Sequence, residues 1–425
     1  MSQAIDDRDY FTDRSVLADP YTYFAAIRDA GPIFQWEKRD LIFVTGHDEA
    51  VEVLRDSKTF SSCIAPAGPL ADLPFEPEGD DIEEQIEKHR SEMTGSDMLP
   101  ANDGARHSAL RSLINRLFTP KRIKEIEENM VPMAEDFASN VASQTNCDAI
   151  KEIATPFVTL VIADLLGVPD EDRKMFTEVI NAGPPPFDIE TAASGEQPTP
   201  SPFMITMGTH FYNYIMTRRQ NPTDDILSQL AHAKLPDGST PSEIDVVKMV
   251  MFLFGAGQDT TGKLIGNSLR FLAENQEMQE KLRNDYSLIP SFIEEMLRIE
   301  GSVKATFRLA KKTTTVAGMT IPAGKKVVVF LAAGNHDPER WDSPEEFIMN
   351  RKDNNRHLAF GQGLHTCLGA PLARSEARTM LEKLFDKTNN FKLSSAHYGD
   401  TDKAEMDYEA SFLIRGLNTL YLDFS

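Results

Sequence analysis

Only three cysteines occur in 425 residues, Cys63, Cys147 and Cys367. Their spacing offers no disulfide framework and no cluster for an iron–sulfur centre, which suits a reducing compartment. No G-x-G-x-x-G follows a strand-like run, so no flavin or nicotinamide domain is indicated. No apolar stretch reaches the roughly 18–20 residues of a membrane span. The best candidate, Val246 to Gly257, is broken by Lys248. The start, Met1 to Asp9, has neither a basic region nor an apolar core, and does not read as a signal peptide. Positive charge is scarce: 44 Lys and Arg face 66 Asp and Glu, a formal net charge of -22. That balance disfavours nucleic acid and anionic membranes as partners. A cytoplasmic protein is expected.

What is present reads as one large domain over residues 1–425, since no repeat, low-complexity tract or Gly/Ser linker divides it. The pattern is mainly α with a small β region. Ile33 to Trp36 and Leu41 to Thr45 read as a hairpin around Glu37 to Asp40, with a short helix over Glu49 to Leu54. Ala65 to Asn102 reads as an acidic loop, with ten carboxylates between Asp72 and Asp97 facing only Lys88 and Arg90. Such a run is most simply a solvated face. From Arg106 the pattern is helical, with a Gly167–Pro169 stop, breakers at Gly183–Pro186 and Gly195–Pro202, helix over Phe203–Arg219 and a turn at Pro236–Gly238. Ser411 to Phe424 has strand-like composition.

Ile244 to Leu272 reads as one long helix, apolar on most faces and therefore buried. Its middle is Gly255-Ala256-Gly257-Gln258-Asp259-Thr260-Thr261. Glycines weaken a helix interior, and a buried acid and hydroxyls need partners. One account is close packing at glycine, with threonines bonded back to carbonyls a turn earlier. The residues alone leave that account open beside a functional one.

Near the C-terminus stands Phe360-Gly361-Gln362-Gly363-Leu364-His365-Thr366-Cys367-Leu368-Gly369. Gly363 and Gly369 let backbone approach something bulky and flat. Amides opening the next helix would point at the Cys367 sulfur and favour its thiolate. Such a thiolate suits an iron porphyrin.

This stretch resembles the haem-binding loop of the cytochrome P-450 monooxygenases, Phe-x-x-Gly-x-His/Arg-x-Cys-x-Gly, at every fixed position. Ala256, Gly257, Asp259, Thr260 and Thr261 resemble that family's oxygen-binding groove, and the likeness runs over nearly the whole chain. The resemblance implies the P-450 fold, with haem b buried between the long central helix and the Cys-loop helix. It implies Cys367 as the iron's thiolate ligand, with Ala256, Gly257, Phe360 and Gly369 close to the cofactor. Thr260 and Asp259 would deliver protons during dioxygen reduction. His107 and Arg111, at i and i+4, match a His-x-x-x-Arg pattern; with Arg308 and His365 they would hold the propionates. Glu295 and Arg298 match the Glu-x-x-Arg pair, with Arg351 as third member, although Met349 stands where proline is usual. Gly301-Ser302 likewise stands where Ser-Pro is common.

Positions facing the iron correspond to Leu253, Phe254, Val303, Ala305, Thr306 and Phe412. They are nearly all apolar, so a small hydrophobic substrate is expected, with Lys304 the one nearby cation. The resemblance implies a monomer that hydroxylates this substrate with dioxygen. Its electrons would come from a separate ferredoxin and ferredoxin reductase, which the segment Arg106, Arg111, Arg116, Lys121 and Arg122 would attract. Two alternatives stand: a haem-thiolate protein of the same fold that does not oxygenate (an isomerase, dehydratase or sensor), and a helical binding protein in which Cys367 is structural.

Overall fold

The computed structural model describes residues 8–181 and 202–425. The breakers Gly183–Pro186 and Gly195–Ser201 lie outside them. The protein is mostly helical with small sheets. Seven helices position the site: α1 (Gly104–Asn115), α2 (Pro120–Ala142), α3 (Thr155–Leu166), α4 (Pro202–Gln220), α5 (Glu243–Glu274), α6 (Ile289–Ile299) and α7 (Ala370–Lys387). Among the described residues no helix is long and apolar enough to cross a membrane.

Helix α5 starts where a capping box tells it to. The Ser242 hydroxyl accepts from Asp245 N–H at 3.1 Å, and the Asp245 carboxylate accepts from Ser242 N–H at 3.3 Å. Its 32 residues run about 48 Å, at roughly 1.5 Å per residue. Val246, Val250, Leu253, Phe254, Leu264, Ile265, Leu269 and Leu272 bury its flanks, and it packs along α3, α4 and α7. α3 stops at Gly167, whose φ of 85° is left-handed. A side chain there would also meet Asp225 at 2.8 Å. α2 begins after Thr119, whose hydroxyl accepts from Arg122 N–H, with Pro120 at its first position. It lies along α7.

The main sheet has five strands: β1 (Ile33–Trp36), β2 (Leu41–Val44), β3 (Phe60–Ser61), β4 (Thr306–Ala310) and β5 (Lys326–Val329), in the order β1-β2-β5-β4-β3. β1 and β2 form the expected hairpin, Ile33 opposite Val44. β2 pairs parallel to β5, and β4 runs antiparallel to both β5 and β3. Ser61 stands opposite Leu309 and Arg308 opposite Val327. This register brings the chain at Ser62 and the Arg308 side chain to the same end of the molecule.

Two local expectations change. The acidic stretch is not all loop: Glu83–His89 is helical, and Ile86 buries one side of it. Its charges are partly paired, Asp81 with Lys312 at 2.9 Å and Glu83 with Lys311 at 3.0 Å. The C-terminal segment forms a strand only over Tyr421–Phe424. Before it, single bridges join Val303 to Ile414 and Tyr408 to Leu417.

Candidate active site

α5, α1, the 359–369 loop and β4 enclose a cavity of about 350 Å³. Cys367, Phe360 and Gly369 line one side, Ala256, Gly257 and Thr260 of α5 another. His107, Arg111, Arg308 and His365 complete the wall at one edge. Residues more than 260 positions apart thus share one chamber.

The Cys367 sulfur opens onto this chamber while protein encloses it. Burial raises its thiol above the ordinary range. The Gly369 N–H, the Arg111 charge, the Ala370 N–H and the Arg374 charge act the other way, in that order. The Cys367 N–H donates to Phe360 O at 2.8 Å, which closes the loop on itself. Gly363, at φ 72°, passes so near the Leu54 carbonyl that a Cβ would lie 2.6 Å from it.

Arg111 clamps the same loop, donating to Leu364 O at 3.2 Å and Thr366 O at 2.7 Å. Arg308 is 4% exposed. It donates to Thr306 Oγ1 and Phe307 O, and burial lowers it to about 10. Among the described residues neither arginine has a carboxylate within ion-pair distance. His107 is 1% exposed, and neither ring nitrogen has a hydrogen-bond partner. Burial, then His365 and Arg111, lower it to about 4.

His365 lies beside it, ring centroids 4.4 Å apart. Its Nε2 is 2.7 Å from Ser62 Oγ and 3.2 Å from Asp103 Oδ1. Asp103 also receives Ser61 Oγ at 2.5 Å. Burial pushes the Asp103 carboxyl up, but the bonds from His365 and Ser61 outweigh it and hold it at about 2. Asp103 belongs to none of the motifs that mark the site in the sequence. It precedes α1 as an N-cap would, yet caps nothing; its carboxylate is turned to the histidine.

These features fit a flat, dianionic macrocycle with a central metal. Apolar walls from Leu253, Ala256, Leu297 and Ala359 suit its faces. The orphaned His107 nitrogens and the two arginines suit carboxylates at its edge, and the thiol suits its metal.

Across the chamber, Thr260 Oγ1 donates to Ala256 O at 2.8 Å, and Ser302 Oγ donates to Thr260 O at 2.7 Å. The threonine is bonded back to a carbonyl one turn earlier, and it still lines the cavity. Gly257 does both things its residue type allows: it lines the cavity, and a Cβ would come within 3.3 Å of Ile162 on α3. Asp259 is ion-paired to Lys263, which also meets Glu409 at 2.9 Å. A second carboxyl, Glu376 of α7, lines the cavity near Thr261; burial pushes it well above the ordinary range.

Glu295, Arg298 and Arg351 lie together behind the site, away from the cavity. Arg298 donates to Glu295 at 2.8 and 3.1 Å, and Arg351 Nε to Glu295 Oε1 at 2.9 Å. Arg298 also holds the carbonyls of Asn335, Pro344 and Glu346. Arg351 therefore joins the pair despite Met349.

Of the expected pocket residues, Leu253, Val303 and Thr306 line the cavity. Phe254, Ala305 and Phe412 do not. Phe254 points into the helical core against Phe176 and Phe211, centroids 5.5 and 5.7 Å away. Ala305 and Phe412 belong to the sheet-side core, where Phe412 meets Phe11 at 5.3 Å and Phe307 at 6.0 Å. Lys304 is fully buried away from the cavity, donating to Leu17 O at 2.9 Å. Leu99, Pro100 and Phe252 line the wall as well.

A helical fold with a cysteine, unpaired basic groups and the Thr260 hydroxyl around one chamber, and the Asp259 carboxylate just outside it, defines the class of haem-thiolate proteins. Comparison with known proteins agrees. The family model "Cytochrome P450" matches residues 209–415. The chain is 31% identical over 409 residues to cytochrome P450 monooxygenase PikC of Streptomyces venezuelae, covering 95% of this chain and 90% of that one. The solved structure of Mycobacterium marinum cytochrome P450 CYP150A6, substrate-free, superposes with a TM-score of 0.90 at 40% identity, covering 98% of each chain. CYP109E1 of Bacillus megaterium, in complex with corticosterone, superposes with a TM-score of 0.76 at 29% identity, covering 96% of this chain and 99% of that one. This chain belongs to the cytochrome P450 family. It is a monooxygenase of the haem-dependent kind, using dioxygen, a small substrate and redox partners.

Proposed function

We propose that this protein, acting as one domain, hydroxylates a small hydrophobic substrate. In this reading haem b is the cofactor, and electrons come from a separate ferredoxin and its reductase. Once bound, the haem supplies the iron at which dioxygen is activated. Cys367 provides the thiolate, His107, Arg111, Arg308 and His365 take the propionates, and Ala256, Gly257, Phe360 and Gly369 border the ring. The observation that carries the reading is the single chamber lined by Cys367 and by Thr260.

Thr260 would donate a hydrogen bond into the chamber once it leaves the Ala256 carbonyl. Asp259 would pass it protons from the solvent side, where its carboxylate is partly exposed. Leu253, Val303, Leu99, Pro100 and Phe252 would exclude water and orient the substrate mainly by apolar contact. No lysine lines the chamber among the described residues, so the only fixed cations a small carboxylic acid would meet are Arg111 and Arg308, which the propionates would occupy. The steroid bound by the structural relative CYP109E1 belongs to the chemical class this wall favours. Arg106, Arg116, Lys121 and Arg122 would attract an acidic ferredoxin. Arg111, committed to the Cys loop, would not.

Turnover in labelled dioxygen tests the proposal. With ferredoxin, reductase and an apolar substrate, one labelled oxygen atom should enter the product. Turnover without label incorporation would favour the non-oxygenating alternative.

A further inference from the structure

Glu294 and Glu295 are neighbours on α6 and, at roughly 3.6 residues per turn, point about 100° apart. Glu295 enters the buried arginine cluster. Glu294 turns toward α7 and the chain leading to Cys367. Its carboxylate takes both ends of the Arg374 guanidinium, Nε on Oε1 and Nη2 on Oε2, the latter at 2.9 Å. His357 Nε2 lies 3.3 Å from the same Oε2, within ion-pair distance but without a hydrogen bond. Burial pushes the Glu294 carboxyl up, but Arg374 and His357 outweigh it and hold it at about 2.

Both partners of this carboxylate rest on one ring. The Arg374 guanidinium stands over Phe360, 4.6 Å from its centroid, and the His357 ring lies 5.7 Å from it. Phe360 lines the cavity beside Cys367 and accepts the Cys367 N–H. A bidentate carboxylate fixes the plane of a guanidinium, and a fixed guanidinium stacks on an aromatic face. A continuous chain of contacts therefore runs from Glu294 to the backbone of the sulfur.

We propose that Glu294 is a positioning residue for the thiolate: through Arg374 and His357 it fixes the Phe360 ring and holds Cys367 in its ligating arrangement. This rests on Cys367 being the haem's ligand. The plainer role, a tie between α6 and α7, makes a different prediction. α7 has another tie, Arg378 to Glu127 of α2 at 3.1 Å, that touches neither Phe360 nor Cys367.

The test compares holoprotein carrying Glu294→Gln, Arg374→Lys, both together, or Arg378→Lys. Glu294→Gln keeps the shape and removes the charge. Arg374→Lys keeps the charge and removes the fork and the stack. The readouts are the lifetime of the red-shifted, thiolate-ligated carbon monoxide band before it converts to the blue-shifted form, and the ferric–ferrous midpoint potential. We expect conversion roughly three- to tenfold faster in each single variant and a shifted potential, with the double variant no worse than the singles. Arg378→Lys should match wild type. Unchanged lifetime and potential in both single variants would overturn the proposal. So would an equal loss in Arg378→Lys, which would mark a general loosening of α7. Failure of the ligand assignment would look different: wild type itself would give no red-shifted band.

Discussion

Asp259 is ion-paired to Lys263, one turn further along α5. Lys263 is 13% exposed and also meets Glu409, from the loop before the last strand. Its stem lies against Gly416, where any side chain would collide with its methylenes. The acid that would serve Thr260 is thus tied to a buried cation shared with a second carboxylate.

That sharing predicts opposite effects from two substitutions. Asp259 must leave Lys263 to pass a proton inward. Lys263→Met removes the tie and should reduce the solvent deuterium isotope effect on kcat. Glu409→Gln leaves Lys263 to Asp259 alone and should increase it. Equal isotope effects in both variants would show that the pair does not open during proton delivery.

The cavity wall predicts which substitutions steer the substrate. Leu253→Phe and Val303→Phe should change the site of hydroxylation, measured as the product ratio. Phe254→Ala should cost about 3–5 kcal/mol of stability by opening a cavity in the core. Its product ratio should stay near that of wild type, since the ring meets Phe176 and Phe211 and does not line the chamber.

Arg308 is a buried cation without a carboxylate partner among the described residues. Such a group burdens the protein until an anion arrives. Arg308→Leu should leave the apoprotein as stable or more so, by thermal unfolding. Its haem should dissociate roughly ten- to a hundredfold faster, the cost of a lost charged hydrogen bond.

Lys304 gives a pH test. Burial, with Arg415 adding to it, lowers its ammonium to about 7. In the unfolded chain it keeps its proton to about 10.4, so between these values the unfolded state binds more protons and stability rises with pH. Below about 7 both states are protonated and this contribution is flat. Lys304→Met removes the rise. Its Tm relative to wild type should therefore be higher near pH 6 than near pH 10. A gap independent of pH would show that Lys304 is not charged-and-buried at low pH.

The parts legible in the sequence were those whose chemistry is local. The Cys367 loop, the Gly257–Thr261 stretch and the Glu295–Arg298 spacing each fit within about ten residues, and the structure brings the first two to one cavity. Rotation about α5 was not legible. Leu253 and Phe254 differ by one residue on a helix apolar all round, so nothing in the pattern tells which faces the chamber. Phe412 lies in irregular chain whose path follows from its bridge partners. Asp103 had a visible cue, a helix-capping residue before Gly104, but its bond to His365 spans 262 positions. Glu294 was hidden beside the motif residue Glu295, because which of two adjacent acids meets Arg374 depends on where α7 packs.

The central claim is that Cys367 ligates the iron of a haem held in the described chamber. The carbon monoxide spectrum of reduced protein tests it most directly, taken on wild type and on Cys367→His, Cys63→Ser and Cys147→Ser. The red-shifted thiolate band is expected in wild type and in the two serine variants, and its loss in Cys367→His alone. A band that survives Cys367→His, or that disappears with Cys63 or Cys147, would contradict it.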